Sequence, residues 1–156
     1  FWRTAILVFP MKTVKLFTDG ACLGNPGPGG WACILRYKDI SREMFGSEPH
    51  TTNNRMELTA AVRGLETLKE TCEVEVVTDS EYLKNGITSW VKNWKRNGWM
   101  TSAKKPVVNQ DLWRQLDELN ARHQTQWSWT KGHADHPENN RCDELASRAA
   151  REQSHS

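Results

Sequence analysis

KLFTDGACLGNPGPGGW, residues 15–31, is the stretch around which the rest of the chain is read. Val14 to Thr18 has the β-branched and aromatic content of a strand, and the glycines, prolines and asparagine from Gly20 to Gly30 cannot continue it regularly. Asp19 is therefore expected at a strand end, entering a turn. Two readings of that acid stand open. An Asp before a Gly is a common turn residue, and an acid delivered to a strand end is also where sites are built. Its partners elsewhere in the chain decide between them.

Outward from this stretch, Trp31 to Tyr37 and about Arg42 to Ser47 read as two more strands, joined by a Lys38–Asp39 turn into a hairpin. At Thr52 the period changes. Leu58, Ala61, Val62, Leu65 and Leu68 fall on one helical face, and Thr52 or Asn53 can cap the start. Glu57 lies in the first turns of this helix, and Asn54-Arg-Met-Glu57 has the form of a capping box. Glu73 to Thr78 is a short β-branched strand, followed by Asp79 as the first strand is followed by Asp19. An N-cap is the ordinary reading of Asp79, since a helix starts with Glu81, Tyr82 and Leu83. Strand, helix and strand in succession imply a partly parallel sheet with a right-handed crossover, which makes neighbours of Asp19 and Asp79.

Asn109 to His123 is an amphipathic helix with Leu112, Trp113, Leu116 and Leu119 toward the core. Gln124 to Thr130 is a strand with Trp127 and Trp129 on one face. A polar loop, Lys131 to Pro137, leads to a last helix from Glu138 whose stripe is Cys142, Leu145, Ala146 and Ala149. Asp143 is expected beside that stripe, at the edge of the core. The order of elements predicts a one-domain α/β fold over residues 11–152, with a short polar tail at 153–156.

Composition narrows the partners. The chain has 156 residues, 37% apolar and 26% charged, with a net charge of +2 and a mean hydropathy of -0.73, which describes one globular domain without disordered bulk. Cys22, Cys33, Cys72 and Cys142 are scattered without a CxxC pair, so reduced thiols are expected and a structural zinc site is not. The apolar run Ala5 to Phe9 is too short to span a membrane and lacks a cleavage signature. Residues 1–10 are read as a leader, an extension or an expression remnant, with Met11 as a natural start. No membrane partner and no obligate protein partner is indicated, and a cytoplasmic monomer is expected. Charge distribution says more than net charge. From Lys84 to Lys105 there are Lys84, Lys92, Lys95, Arg96, Lys104 and Lys105 and no acid, interleaved with Trp90, Trp94 and Trp99. Cations mixed with aromatics suit a polyanionic backbone. A local tryptophan core under an exposed basic helix is the competing reading, and both can hold because Trp90 and Trp94 share a helix face.

Asp19, Glu57, Asp79 and Asp143 thus stand out, each with an ordinary role when taken alone. If the fold brings them together, a pair of like charges at ~4 Å costs about 4 kcal/mol at an effective dielectric of ~20. Such a cluster demands cations, and oxygen-only ligation points to magnesium or manganese.

These residues lie in stretches that closely resemble bacterial type 1 ribonuclease H (ribonuclease HI): FTDGACLGNPGPGGW at 17–31, TTNNRMEL at 51–58, TDSEYL at 78–83, NWKRNGW at 93–99, KKPVVNQDLW at 104–113 and KGHADHPENNRCDELA at 131–146. The resemblance implies a five-stranded mixed sheet flanked by helices, with a basic helical protrusion. It implies endonucleolytic hydrolysis of the RNA strand of RNA/DNA hybrids, as in removing RNA primers and hybrid loops, leaving 5′-phosphate and 3′-hydroxyl ends. Two Mg2+ ions, with Mn2+ as a possible substitute, would bracket the scissile phosphate. On this analogy Asp19 bridges both ions, Asp143 completes the nucleophile-side site, and Glu57 and Asp79 hold the leaving-group side. His133 of the KGH loop would relay a proton or help product leave. Cys22, Asn25, Asn53, Asn54 and Asn109 would approach the minor groove, where 2′-hydroxyls mark the RNA strand. Thr52, Trp90 and Trp113 would contact the DNA strand, and Lys92, Lys95 and Arg96 would extend the grip. Turns and caps are the alternative roles of Asn25 and Asn53. The chain departs from the familiar pattern at Asp135, where glycine is usual, and at Glu81, often glutamine; each adds negative charge near the expected site.

Overall fold

The structure, a computed structural model, describes residues 11–131 and 136–156. Its centre is a five-stranded mixed sheet of β1 (Thr13–Cys22), β2 (Gly27–Tyr37), β3 (Ile40–Thr51), β4 (Glu73–Thr78) and β5 (Gln124–Trp129). The spatial order is β3-β2-β1-β4-β5. The first three strands pair antiparallel, whereas β4 runs parallel to both β1 and β5. The helices are α1 (Asn53–Glu66), α2 (Glu81–Asn85), α3 (Val91–Arg96), α4 (Gln110–Arg122) and α5 (Pro137–Ser154), with a π-helical turn at Gly86–Trp90 between α2 and α3. α5 continues to Ser154, so it takes in the first half of the expected tail.

Two cores lie on opposite faces of the sheet. The larger gathers Leu16, Val74 and Val76 from the strands with Leu58, Ala61, Val62 and Leu65 of α1 and Leu112, Trp113, Leu116 and Leu119 of α4. These are the faces that 3.6-residue periodicity predicts. The smaller joins Phe17, Ala32, Ile34 and Val77 to Cys142, Leu145 and Ala146 of α5. α5 is also tied by charge to the antiparallel strands: Arg36 pairs with Glu138, and Arg141 meets Glu43 at 2.8 Å.

The decisive stretch folds differently from expectation. Gly20, Ala21 and Cys22 continue β1, and β2 begins at Gly27, so Asp19 lies inside a strand, opposite Ala32. The glycines serve close approach. A Cβ at Gly20 would sit 2.6 Å from the Glu57 backbone nitrogen, and one at Gly30 would sit 2.2 Å from the Ala146 carbonyl oxygen. α1 and α5 therefore press against the sheet where side chains would hold them off.

Candidate active site

Three elements deliver three acids to one crevice. β1 supplies Asp19, α1 supplies Glu57 from its second turn, and the end of β4 supplies Asp79. One carboxylate oxygen from each lies within 4.8 Å of the others. Asp19 is 4% exposed and Glu57 5% exposed, and Asp79 is half-buried. The β1–β4 pairing ends at Phe17–Val77, so the two strands separate just before their acids, which leaves the crevice between them.

Neither Asp19 nor Glu57 plays the local role that its neighbours in sequence suggest. The helix cap is Thr52, whose hydroxyl accepts from the Arg55 N–H at 3.2 Å. The Asn54–Glu57 capping box is thus corrected: Glu57 is buried against Gly20 and not turned back along its helix. Ser80 caps α2, accepting from the Leu83 N–H at 3.1 Å, which relieves Asp79 of that duty. Asp19 Oδ1 accepts from the Gly20 N–H at 2.8 Å. Asp19 Oδ2 and Glu57 Oε1 are buried and have no hydrogen-bond partner among the described residues.

Electrostatics follow from this crowding. Burial, then repulsion from Asp79, pushes the Asp19 carboxyl up to about 8, against the Gly20 N–H, which favours the ionised form. Glu57 is driven well above the ordinary glutamate range, first by burial and then by Asp19 and Asp79. Buried oxygens without donors, in acids that repel one another, are the counterpart of a bound cation. The oxygen-only donor set fits a hard divalent ion such as magnesium or manganese.

Asp143 stands apart from the three. It repels Asp19 and Glu57 but is exposed on α5, off the Cys142–Leu145–Ala146 stripe, so it faces solvent and not the expected core edge. His133 and Asp135 lie outside the described residues.

The residues expected to meet substrate fall into three sets. Around the β1–β2 loop, Asn25 Oδ1 accepts from the Asn53 N–H at 2.9 Å, and Cys22 Sγ lies 3.4 Å from the Thr51 carbonyl oxygen. Asn25 and Asn54 are exposed, and Cys22, Thr52 and Asn53 are half-buried. A second set surrounds Tyr82, whose hydroxyl accepts from Asn109 Nδ2 at 3.1 Å and from Trp113 Nε1 at 3.0 Å. Arg55 forks onto Asp111 at 2.8 and 3.0 Å and donates to Asn109 Oδ1 at 3.2 Å. Third, Lys92, Lys95 and Arg96 are exposed on α3, with Lys95 paired to Asp117 of α4 at 3.1 Å.

Trp113 requires a correction. It is fully buried, so it cannot touch a DNA strand. Its ring packs 5.5 Å from Trp94 and 5.3 Å from Tyr82, centroid to centroid, and Tyr82 in turn lies 5.8 Å from Trp90. Trp90, 38% exposed, is the surface end of that cluster. Tyr82 and Arg55, which hold Asn109 and Trp113, were not expected from sequence; both lie in motifs quoted above but have no chemistry of their own to mark them.

The family model for RNase H matches residues 11–151. The chain belongs to the ribonuclease H family. A ribonuclease H of Solibacter usitatus is 68% identical over 146 residues, covering 94% of this chain and 100% of that one. A ribonuclease HI of Neisseria meningitidis is 58% identical over 139 residues, covering 89% of this chain and 96% of that one. Among solved structures, LC9-RNase H1, a type 1 RNase H with the type 2 active-site motif, superposes with a TM-score of 0.83 at 32% identity, covering 94% of this chain and 75% of that one. Members of this family are hydrolases, and the mixed sheet is the sheet of that fold. Among the described residues no helix is long and apolar enough to cross a membrane.

Proposed function

We propose that this ribonuclease H cleaves the RNA strand of RNA/DNA hybrids at the crevice formed by Asp19, Glu57 and Asp79, with Asp143 completing the site. Hydrolysis of RNA in hybrids is the activity of the family, and the chemistry here follows from the chain's own residues. The carrying observation is that three carboxylates converge within 4.8 Å while two of their buried oxygens have no hydrogen-bond partner among the described residues. Asp19, which lies inside β1 and interacts with Glu57, Asp79 and Asp143, would hold both of two Mg2+ ions, with Mn2+ an acceptable substitute. Glu57 and Asp79 would share one ion, and Asp143 the other. When bound, the metal activates water and stabilises charge on the scissile phosphate, giving 5′-phosphate and 3′-hydroxyl ends.

The protein's part is to hold these acids before the cation arrives. Gly20 contributes its N–H to Asp19 and its missing side chain to the seat of Glu57. His133, which lies between β5 and α5 in the sequence, is assigned the proton relay or product release that an imidazole titrating near neutrality supports. Asn25, Asn53, Asn54 and Asn109, with Cys22, would read the minor groove; Thr52 and Trp90 would bear on the DNA strand, and Lys92 and Arg96 would add phosphate contacts. Asn25, Asn109, Cys22 and Thr52 are already held by intramolecular hydrogen bonds, so these side chains lose little freedom on binding. A cytoplasmic monomer encompassing residues 11–152 suffices for this activity.

The test is incubation of the purified chain with labelled RNA/DNA hybrid, double-stranded RNA and double-stranded DNA, with Mg2+ or chelator. Metal-dependent cutting of hybrid RNA alone is expected. Hybrid binding without cleavage, or equal cutting of DNA, contradicts the reading.

A further inference from the structure

Two tryptophans on one face of β5, two residues apart, use their indole N–H groups differently. Trp127 Nε1 donates to Asn120 Oδ1 on α4 at 2.9 Å. Trp129 Nε1 donates to the backbone carbonyl of Asp79 at 3.1 Å. The first bond joins a strand to a helix; the second reaches an acid of the metal crevice.

The strand pattern explains why Asp79 needs that bond. The β4–β5 register ends at Thr78–Trp129, closed by the Thr130 N–H on the Thr78 carbonyl at 2.9 Å. The β1–β4 register has already ended at Phe17–Val77. Asp79 is thus the first residue beyond both ladders, and a side chain takes its carbonyl. The same peptide unit is held at its other polar atom, because the Ser80 N–H donates to Thr78 Oγ1 at 3.0 Å. A peptide unit is planar, so fixing its oxygen and its N–H fixes the plane and with it the torsion leading back to the Asp79 Cα. The backbone from which the Asp79 side chain departs is thereby held in place, against the repulsion of Asp19 and Glu57.

We propose that Trp129 is a positioning residue for the divalent cation: its indole N–H locks the Asp79–Ser80 peptide so that the third carboxylate stays beside Asp19 and Glu57. This rests on the metal reading of the crevice. Trp129→Phe keeps the ring and removes the N–H alone, and Trp127→Phe makes the same change on the same strand away from the acids.

Calorimetric titration of Mg2+ into the nucleic-acid-free proteins separates the roles. Trp129→Phe is expected to weaken Mg2+ binding about tenfold, the scale on which groups behind metal ligands act, while Trp127→Phe leaves it within about twofold. In turnover assays the Mg2+ concentration at half-maximal rate should rise by the same factor in Trp129→Phe, with KM for hybrid unchanged. Wild-type affinity in a folded Trp129→Phe overturns the proposal, as does equal weakening in both variants. If Trp129→Phe does not fold, the wild-type indole resonances decide: Mg2+ should shift Trp129 Nε1–H and leave Trp127 Nε1–H in place, and an unmoved Trp129 signal overturns it. A wild-type chain that takes up no Mg2+ overturns the metal reading itself, whereas normal wild-type uptake with an unaffected variant overturns the positioning role alone.

Discussion

The acid crevice and the aromatic cluster behind Trp90 are both polar sites set into a core, but they are finished to different degrees. In the cluster the Tyr82 hydroxyl takes donors from Asn109 and Trp113, and Arg55 is shared between Asn109 and Asp111. Folding alone completes it. In the crevice Asp19 Oδ2 and Glu57 Oε1 are buried without hydrogen-bond partners among the described residues, and the acids around them repel one another. Folding builds that site and leaves it short of positive charge. A satisfied polar network stabilises the native state, whereas an unsatisfied one is a cost that a ligand can remove.

The largest effect should come from breaking the crevice. Asp19→Asn keeps the shape but removes the charge expected to serve both ions, and turnover should fall about a thousandfold or more, matching several kcal/mol of lost transition-state stabilisation. The metal-free variant should be at least as stable as the parent at neutral pH, because an amide avoids the cost of burying an acid that is free to ionise only when the chain unfolds. Single-turnover kinetics and denaturant unfolding measure the two. Substantial remaining activity contradicts the bridging role of Asp19.

Breaking the cluster should have the opposite profile. Trp113→Ala removes a fully buried ring that packs against Gly86, where even a Cβ would lie 2.0 Å from it. A loss of about 3–5 kcal/mol of stability is expected from denaturant unfolding, with Mg2+ affinity unchanged in protein kept folded at low temperature. Weakened Mg2+ binding there would show that the two regions are coupled.

The smallest expected effect sharpens the contrast by pH. Asp19 holds its proton to about 8 in the folded, metal-free chain and releases it near 4 when unfolded. Between those values the native state binds more protons than the unfolded state, so stability should fall as pH rises. The slope is at most about 1.4 kcal/mol per pH unit for each such group. Unfolding midpoints in chelator from pH 5 to 8 measure it, and Asp19→Asn should flatten the profile. A stability that rises over this window instead would contradict the buried, proton-holding crevice.

The helices and their inward faces were legible because their periodicity is local, and the four acids were legible as residues. The parts that misread depend on contacts distant in sequence. Gly20 and Gly30 read as strand breakers, yet they sit within strands because α1 and α5 need the space. Trp113 carried two expectations: its helix face placed it in the core and its family resemblance placed it on DNA. Burial sides with periodicity. Of the caps open in the sequence Thr52 is the one used, and the Asn54–Glu57 box is not formed, a choice of local hydrogen bonding that the shared residue types do not resolve. Trp129 gave no signal of its link to Asp79, since a tryptophan in a strand is ordinary and its partner is a backbone carbonyl 50 residues away.

The claim that the crevice is completed by a cation is tested most directly by the melting temperature of the nucleic-acid-free chain at pH 7.5, titrated with Mg2+ beside Asp19→Asn. Wild-type Tm should rise with the logarithm of Mg2+ concentration once past the dissociation constant, as binding to the native state alone requires, while Asp19→Asn responds weakly or not at all. Equal responses in the two proteins, or none in the wild type, would contradict the account.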